Sequence, residues 1–196
     1  MVLYIIHKVK IFRKLYFYKI GRPFVQKKIK PILPYLHPSE KILDIGSGNG
    51  LVAYLLRQKG LDITPIDIHE GNYHPSVKPI VYDGKHIPFQ NQHFDTGIIL
   101  TVLHHIEQPE IVLQEAARVC KQLIIMEDIY ENALQKQLTF FLDKVANLFY
   151  SPCPHTNKSD RDWKLTFKAY DLELTAVHYR YVIGVVKQGI YVLRCK

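Results

Sequence analysis

Apolar residues recur along this chain with two different periods, and the order of those periods predicts a layered α/β protein. Short runs rich in Ile, Val and Leu predict buried strands at residues 42–45, 62–66, 80–82, 94–100 and 123–126. Between them, apolar positions three or four apart predict helices over residues 51–59, ending at Gly60, and 109–119. Strands and helices that alternate in this way favour β-α-β units and a parallel sheet.

The pattern changes after Asp128. Apolar spacing predicts a helix over residues 134–148, a loop at "SPCPHTNKSD", and a helix over residues 160–169 with Ser159 as its N-cap. Residues 172–184 and 189–196 read as two strands, and the short link at 187–189 predicts an antiparallel pair. The expected fold is α/β: a Rossmann-like doubly wound sheet of about seven strands, mostly parallel with an antiparallel C-terminal strand, with helices on both faces.

Residues 1–20 predict an amphipathic helix, with an apolar stripe from Val2 to Ile20 and basic residues opposite. Lysines and Arg13 interrupt the apolar part and no small-residue cleavage site follows, so we interpret it as a helix of the mature protein. Two placements stay open: packing on the domain core, or contact with a membrane surface or substrate, because basic and aromatic faces suit anionic lipid. Prolines then break the segment up to Ser39.

Composition adds only weak constraints on the number of domains, the partner and the location of the protein. The chain of 196 residues has 47% hydrophobic residues and a formal net charge of +8, which fits one globular domain with an anionic partner or surface. Its three cysteines include no C-x-x-C pair, so a reducing cytoplasm, with peripheral membrane contact through residues 1–20 as an option, is the expected location. No uncharged apolar run is long enough for a membrane span.

A glycine loop follows the first predicted strand, in "KILDIGSGNGLVAYLL". Gly46, Gly48 and Gly50 give G-x-G-x-G, whereas the dinucleotide fingerprint is G-x-G-x-x-G. Asp44 lies two residues before the loop. A carboxylate there is unfavourable beside a pyrophosphate and favourable beside an ammonium or sulfonium group.

Two further aspartates end the next strands. Asp67 ends the second strand, where a carboxylate can accept from both hydroxyls of a ribose, and Asp83-Gly84 ends the third, where one can accept from an adenine amino group. Each aspartate alone is more often a cap or a turn residue. Their order along the chain, together with the glycine loop, favours a nucleoside cofactor.

The segments "ILDIGSGNG", "ITPIDIHE", "YDGKHIPFQNQHFDTGIIL" and "TVLHHIEQPEIVLQEAARVCK" resemble the successive motifs of class I S-adenosylmethionine-dependent methyltransferases. They most resemble the small-molecule branch called type 11, which includes the quinone-biosynthesis methyltransferases. The resemblance spans residues 36–128. It implies one methyltransferase domain over 1–196, with an N-terminal helical region (1–38), a cofactor-binding core (39–128), a helical substrate or lid insertion (129–170) and a C-terminal strand pair (171–196).

The resemblance also implies roles for individual residues toward S-adenosylmethionine and its product S-adenosylhomocysteine. The methionine part would be wrapped by Asp44, Gly46, Ser47, Gly48 and Gly50, the ribose held by Asp67, the adenine contacted by Ile68, Asp83 and Gly84, and the sulfonium approached by Leu100 and Thr101. His105 would lie near the cofactor or the acceptor.

The cofactor supplies the electrophile in methyl transfer, so the protein mainly aligns the acceptor. His104 and His105 follow the fourth strand and are the candidate bases, although a histidine there also commonly packs or caps the next turn. The spacing in "HHIE" lacks the i, i+4 pair of a zinc helix, so no metal is expected. Pro152-Cys153 resembles a cysteine nucleophile of cytosine methyltransferases, yet a plain loop cysteine is the preferred interpretation.

The expected acceptor is a small molecule, apolar or lipid-like. Candidates for lining its pocket are His155, Trp163, Phe140, Phe141, Phe149 and Tyr150, with Phe141 and Trp163 also fitting a plain core role. Alternatives are an RNA or protein methyltransferase, a non-catalytic cofactor-binding scaffold, and an NAD-dependent dehydrogenase. The charge favours RNA weakly, but strand four ends in "LTVLHH" rather than an N-P-P-Y-like motif, and nucleic acid is not the expected partner.

Overall fold

The computed structural model describes Lys19 and residues 21–70, 76–146, 156–182 and 184–196. Its strands are β1 (Lys41–Ile45), β2 (Asp62–Asp67), β3 (Ile80–Val81), β4 (Phe94–Leu100), β5 (Cys120–Ile129), β6 (Glu173–Val182) and β7 (Val186–Arg194). The described α-helices are α1 (Arg22–Ile29), α2 (Leu51–Arg57), α3 (Pro109–Val119), α4 (Ala133–Ala146) and α5 (Asp160–Ala169). The predicted helix of residues 1–20 and the loop around Cys153 lie outside the described residues, apart from Lys19 and the end of that loop.

The strands form one seven-stranded sheet in the order β3-β2-β1-β4-β5-β7-β6. β1, β2, β3, β4 and β5 pair in parallel, and β7 runs antiparallel to both of its neighbours, β5 and β6. The expected doubly wound sheet with a reversed C-terminal strand is confirmed. The short β3 forms one edge of this sheet and the longer β6 forms the other.

Helices cover both faces of the sheet. One core joins Leu43, Ile45 and Ile99 to α3 and to Trp163 and Phe167 of α5. The other core joins the residues that point to the opposite face, such as Ile42 and Ile98, to α1 and α2. Burying each such aliphatic side chain contributes about 1.5–3 kcal/mol, so the two cores hold the strands in this order. Because β1 to β5 are parallel, their carboxyl ends meet at one edge of the sheet.

The N-terminal region contains a regular helix where the sequence predicted a proline-broken segment. α1 begins at Arg22, and Pro23 lies in its first turn, where the missing N–H has no intrahelical partner to lose. A 3₁₀ helix, Lys30–Tyr35, follows directly and contains Pro31 and Pro34. α1 packs against α2 through Val25 and Ile29, so this region belongs to the core.

The predicted link at residues 187–189 is wrong. Lys187, Gln188 and Gly189 lie inside β7, and the chain turns at Gly184 and Val185 instead. The Tyr191 side chain packs directly against the backbone of Gly189, because a Cβ at this position would lie 2.4 Å from the Tyr191 hydroxyl oxygen. The antiparallel pairing of the two strands is confirmed, as is the Ser159 N-cap, whose side chain accepts from the Asp162 N–H.

Candidate functional site

The glycine loop after β1 folds tightly back onto the end of β2. Gly46, Gly48 and Gly50 all have positive φ, which glycine adopts without a side-chain clash. A Cβ on Gly46 would lie 2.6 Å from Val102 Cγ1. The N–H groups of Gly46 and Ser47 both donate to the Ile66 carbonyl, at 3.0 Å. The loop therefore exposes backbone rather than side chains to the space beside it.

Asp44 is a buried carboxylate beneath this loop. Its side chain is 2% exposed, and among the described residues Oδ2 is buried with no hydrogen-bond partner. Burial raises the pKa of Asp44 to about 7, although Lys28 opposes the shift. A buried carboxylate oxygen that lacks a donor is costly to the folded protein, and a cationic ligand group would relieve that cost.

Asp67 and Asp83 lie at the ends of β2 and β3. Asp67 accepts from the Gly48 N–H at 2.7 Å and from the His69 N–H at 3.0 Å, so it also braces the glycine loop. Asp83 accepts from the N–H groups of Lys85 and His86, and these bonds lower its pKa to about 2. Both carboxylates are held in fixed orientations by backbone donors.

An apolar surface lies between these two carboxylates. Ile68 is 52% exposed, and its Cγ2 would lie 3.0 Å from a Cβ on Gly84. Ile68 therefore rests against the bare backbone of Gly84 while its other side faces solvent. An exposed isoleucine flanked by two carboxylates is a suitable platform for a flat, polar-edged ring such as adenine.

A cleft of about 540 Å³ opens at the carboxyl edge of the sheet. Of the predicted site residues, it brings together Asp44, Gly46, Ser47, Gly48, Leu100, Thr101, His104 and His105. Gly50 caps α2, and the group of Asp67, Ile68, Asp83 and Gly84 follows the neighbouring strand ends beside the cleft. The site thus has an inner part, in the cleft, and an outer part, along β2 and β3.

Thr101 lines the cleft at the end of β4 and has a strained backbone. Its φ is +56°, which is an outlier for a β-branched residue. Its N–H donates to the Met126 carbonyl at 2.6 Å, and Lys28 Nζ donates to its hydroxyl oxygen at 2.6 Å and to the Leu100 carbonyl at 2.9 Å. Strain of this kind costs about 1–3 kcal/mol and persists where surrounding contacts hold it.

The two candidate histidines occupy different environments. His104 is 1% exposed, and its Nδ1 lies 2.5 Å from Oε2 of the buried Glu127. Glu127 Oε1 also accepts from the Val102 and Leu103 N–H groups, so the His104–Glu127 pair organises the turn after β4 from inside the core. His105 is only partly buried and borders the cleft. A direct role for either stays a prediction, with His105 the better placed.

Sequence reasoning missed a set of polar residues at the far side of the cleft: Lys28, Asp128, Arg180 and Gln188. Gln188 Nε2 donates to Asp128 Oδ1 at 2.6 Å, and Arg180 Nε donates to Gln188 Oε1 at 2.7 Å. Burial lowers the pKa of Lys28 and raises that of Asp128. They come from α1, β5, β6 and β7, and no sequence motif connects them.

The predicted aromatic lining of an acceptor pocket is not what the described residues show. Trp163 is 1% exposed in the core, and Phe141 is 62% exposed on the outer face of α4. α4 meets the cleft through Thr139 and Leu142 instead, because these two share its inner face. His155, Phe149 and Tyr150 lie outside the described residues.

Two general features of the described chain bear on chemistry. No three His, Cys, Asp or Glu side chains among residues 21–70, 76–146, 156–182 and 184–196 are grouped so as to hold a metal ion. Within those same ranges, no helix is long and apolar enough to cross a membrane.

Comparison with known proteins agrees with this geometry. Residues 43–123 match the sequence model of a family described as "Methyltransferase domain". The matched segment, residues 43–123, thus has the sequence pattern of a methyltransferase domain. The match begins inside β1 and ends in β5, so it contains the glycine loop, Asp67, Asp83 and both histidines.

Curated relatives and solved structures add detail to the methyltransferase domain. The chain is 31% identical over 90 residues to a demethylmenaquinone methyltransferase of Streptomyces griseus, which covers 43% of this chain and 39% of that protein. The chain therefore aligns with well under two thirds of this relative's length.

Among solved structures, an S-adenosylmethionine-dependent methyltransferase from Methanosarcina mazei has a TM-score of 0.67 at 15% identity, covering 84% of this chain and 96% of that one. Magnesium protoporphyrin IX methyltransferase from Synechocystis, solved with S-adenosylhomocysteine, has a TM-score of 0.62 at 17% identity, covering 89% and 83%. These similarities establish the shared fold.

Proposed function

We propose that this protein transfers a methyl group from S-adenosylmethionine to a small, apolar, quinone-like acceptor. The observation that carries the proposal is Asp44, a buried carboxylate that lines the cleft below the glycine loop and has one oxygen to which no described residue donates. An ammonium group would satisfy that oxygen, and methionine-derived cofactors carry one. A pyrophosphate placed there would meet a like charge.

The remaining predicted residues fit the other parts of the same cofactor. The loop from Gly46 to Gly48 would hold the methionine part through backbone, and Asp67 would accept from the ribose hydroxyls. Ile68, Asp83 and Gly84 would contact the adenine. The residues assigned to ribose and adenine lie beside the cleft rather than in it. This position agrees with a cofactor whose methionine part lies in the cleft while its adenosine part lies outside. When bound, the cofactor supplies an electrophilic methyl group on a sulfonium, and the chain's own residues bind and orient.

The quinone-like acceptor rests on two observations. Demethylmenaquinone methyltransferases recur among the curated relatives, at about 30% identity over part of each chain. The walls of the cleft beyond Thr101 include Phe24, Val25, Leu142, Val182 and Val186, which suit a flat apolar ring. Alignment of that ring with the methyl group is the main contribution that the protein makes to the rate.

Calorimetric titration with S-adenosylhomocysteine, with NAD as the control ligand, tests the cofactor. We expect micromolar binding of the first alone. Asp67→Ala should weaken this binding at least tenfold while the variant still unfolds cooperatively, because it loses the ribose acceptor and the brace on Gly48. Unchanged affinity in the folded variant would remove Asp67 from the site.

A second experiment tests the reaction. The protein is incubated with S-adenosylmethionine labelled in its methyl group and a chemically reduced naphthoquinone, and the organic extract is analysed for labelled product. Label in the naphthol ring or on its oxygen supports the proposed acceptor class. Cofactor binding with no transfer to any quinol would favour the scaffold alternative, and transfer to RNA or protein would replace the acceptor class.

A further inference from the structure

The polar residues at the far side of the cleft belong to one face of the sheet. Ile42, Ile98, Ile124 and Ile190 are buried on the face covered by α1 and α2. Because side chains alternate along a strand, Asp44 on β1, Asp128 on β5 and Gln188 on β7 point to this same face. Asp128 pairs with Gln188, and Gln188 pairs with Arg180 on β6. We call Asp44, Asp128, Gln188 and Arg180 the polar row.

The strand order gives the polar row a direction. From β1 the strands run β4, β5, β7 and β6. With neighbouring strands about 4.8 Å apart, the strand of Asp128 lies about 10 Å from that of Asp44 across the sheet, and the strand of Arg180 about 19 Å. Asp44 is level with Ile124, so Asp128 and its partners also lie four residues, about 13 Å, further toward the carboxyl ends of the parallel strands. The near end of the row is the cofactor end, below the glycine loop. The far end, Asp128, Gln188 and Arg180, lies two to four strands away from Asp44.

Lys28 of α1 reaches down to the strand between these two ends. Its ammonium uses two of its three N–H donors on the Leu100 carbonyl and the Thr101 hydroxyl. Arg180 uses Nε on Gln188 and Nη1 on the Lys27 carbonyl, which leaves other donors of its fork. Among the described residues, both cations are therefore held in place with N–H donors left over, and both side chains line the cleft.

The charges of the cleft favour an anionic acceptor. Lys28, Arg180, Asp44 and Asp128 sum to zero when all are ionised. S-adenosylmethionine brings a sulfonium, an ammonium and a carboxylate, for a net charge of +1. Glu127, which also acts on Lys28, is already paired with His104 and two backbone N–H groups, so among the charges that line the cleft the cofactor adds one positive charge, and an uncompensated charge there is costly. An acceptor that carries one negative charge removes this excess.

We infer that the far end of the polar row is the acceptor subsite, and that it binds the acceptor ring as an oxyanion held by Lys28 and backed by Arg180. This inference rests on the proposed function, because it assumes the cofactor at the near end. The ligand class is an acidic ring hydroxyl, such as an enol or phenol, in its deprotonated form.

A matched pair of ligands tests this inference. 2-Hydroxy-1,4-naphthoquinone is ionised at neutral pH, and 2-methoxy-1,4-naphthoquinone has nearly the same shape without the charge. Both are titrated into the protein saturated with S-adenosylmethionine under conditions in which transfer is monitored separately. We expect the ionised ligand to bind roughly tenfold or more tightly, as a charge-assisted hydrogen bond does. Equal binding, or tighter binding of the methoxy compound, would overturn the inference.

Lys28→Met tests the residue. It keeps the length and volume of the side chain and should abolish the preference for the ionised ligand, while S-adenosylhomocysteine affinity measured in the same variant reports on folding and on the cofactor end. Lys27→Met, on the same helix but exposed, is the matched control and should keep the preference. A preference that survives Lys28→Met would assign the anion to another group.

The two proposals fail in different ways. If wild-type protein does not bind S-adenosylhomocysteine, the proposed function fails before any acceptor is added. If it binds S-adenosylhomocysteine but does not distinguish the two naphthoquinones, only the acceptor subsite is wrong. Should Lys28→Met lose its cooperative unfolding, Lys28→Gln, which restores a donor to Thr101 without the charge, takes its place with the same expected loss of preference.

Discussion

Lys28 Nζ lies 2.6 Å from the hydroxyl oxygen of Thr101, and this contact joins the N-terminal helix α1 to the end of the central strand β4. Thr101 needs such a partner because its backbone is strained. The same bond brings a cation next to the place where the methyl group would be transferred. A single contact therefore links the folding of the N-terminal region to the geometry of the site.

The strain at Thr101 predicts an unusual order of stabilities. Thr101→Gly and Thr101→Ala both remove the hydroxyl, but only glycine accepts a φ of +56° without a Cβ clash. We expect the glycine variant to be more stable than the alanine variant by about 1 kcal/mol in urea denaturation. An alanine variant of equal or greater stability would show that the backbone at this position relaxes readily.

Cofactor affinity should depend on pH through Asp44. The ammonium of S-adenosylhomocysteine binds the ionised carboxylate, and burial raises the pKa of Asp44 to about 7. The carboxylate is therefore ionised above that pH and progressively protonated below it. We expect a constant affinity from pH 7.5 to 8.5 and a loss approaching tenfold per pH unit below pH 7, measured by calorimetry.

Asp44→Asn provides the control for this pH dependence. The variant should bind S-adenosylhomocysteine weakly, with no dependence on pH between 5.5 and 7.5. Without ligand it should be more stable than the wild type at pH 8, because it avoids burying a charge, and the difference should shrink as the pH falls toward the ordinary pKa of 3.8. A pH dependence that persists in the variant would have to come from another group.

His104 and His105 should differ in stability and in function. His104→Ala leaves Glu127 buried without its imidazole partner and should lower the free energy of unfolding by about 3 kcal/mol. His105→Ala should cost much less stability, since the side chain is only partly buried, and should lower methyl transfer without changing S-adenosylhomocysteine affinity. Chemical denaturation and single-turnover assays of the two variants separate these effects. Equal stability loss would place both histidines in the core.

Replacing Gly189 and Gly184 by alanine should lower stability by different amounts and for different reasons. A Cβ on Gly189 would overlap the Tyr191 ring and hydroxyl, whereas nothing among the described residues lies within 4 Å of a Cβ on Gly184, whose φ is +72°. Gly189→Ala should therefore cost about 3 kcal/mol or more through overpacking, and Gly184→Ala about 1 kcal/mol through backbone strain. Thermal denaturation measures both, and the reverse order would contradict this account.

The sequence was sufficient to predict the sheet, and the cofactor role that it gives to Asp44 and the glycine loop stays a prediction. The strand β4 and the helices α3 and α5 have the predicted bounds, because their apolar periods and caps are local properties. Asp44 and the glycine loop are likewise adjacent in sequence, so one motif contains them both. The error at 187–189 has a specific cause: the role of Gly189 depends on Tyr191 and the packing of its ring, which periodicity does not reveal.

The far end of the cleft could not be predicted for a physical reason. Asp128, Gln188 and Arg180 meet only because β7 is reversed and inserts between β5 and β6. Lys28 joins them from a helix in a region where the prolines suggested none. Each residue alone resembles an ordinary surface polar residue, and only the register of three strands brings them together.

The position of β6 has a consequence for how the protein behaves in concentrated solution. β6 is the outermost of the described strands, and no described strand pairs with its outer side, where a strand of another molecule could add. Lys164 and Lys187 lie over the ring of Tyr179 on this strand and place positive charge at that border, which disfavours such growth. Arg180 is carried by the same strand. Self-association along this border would therefore take place on the strand that supplies the arginine of the cleft, and a ligand titration should be made at a protein concentration where the molecule is a monomer.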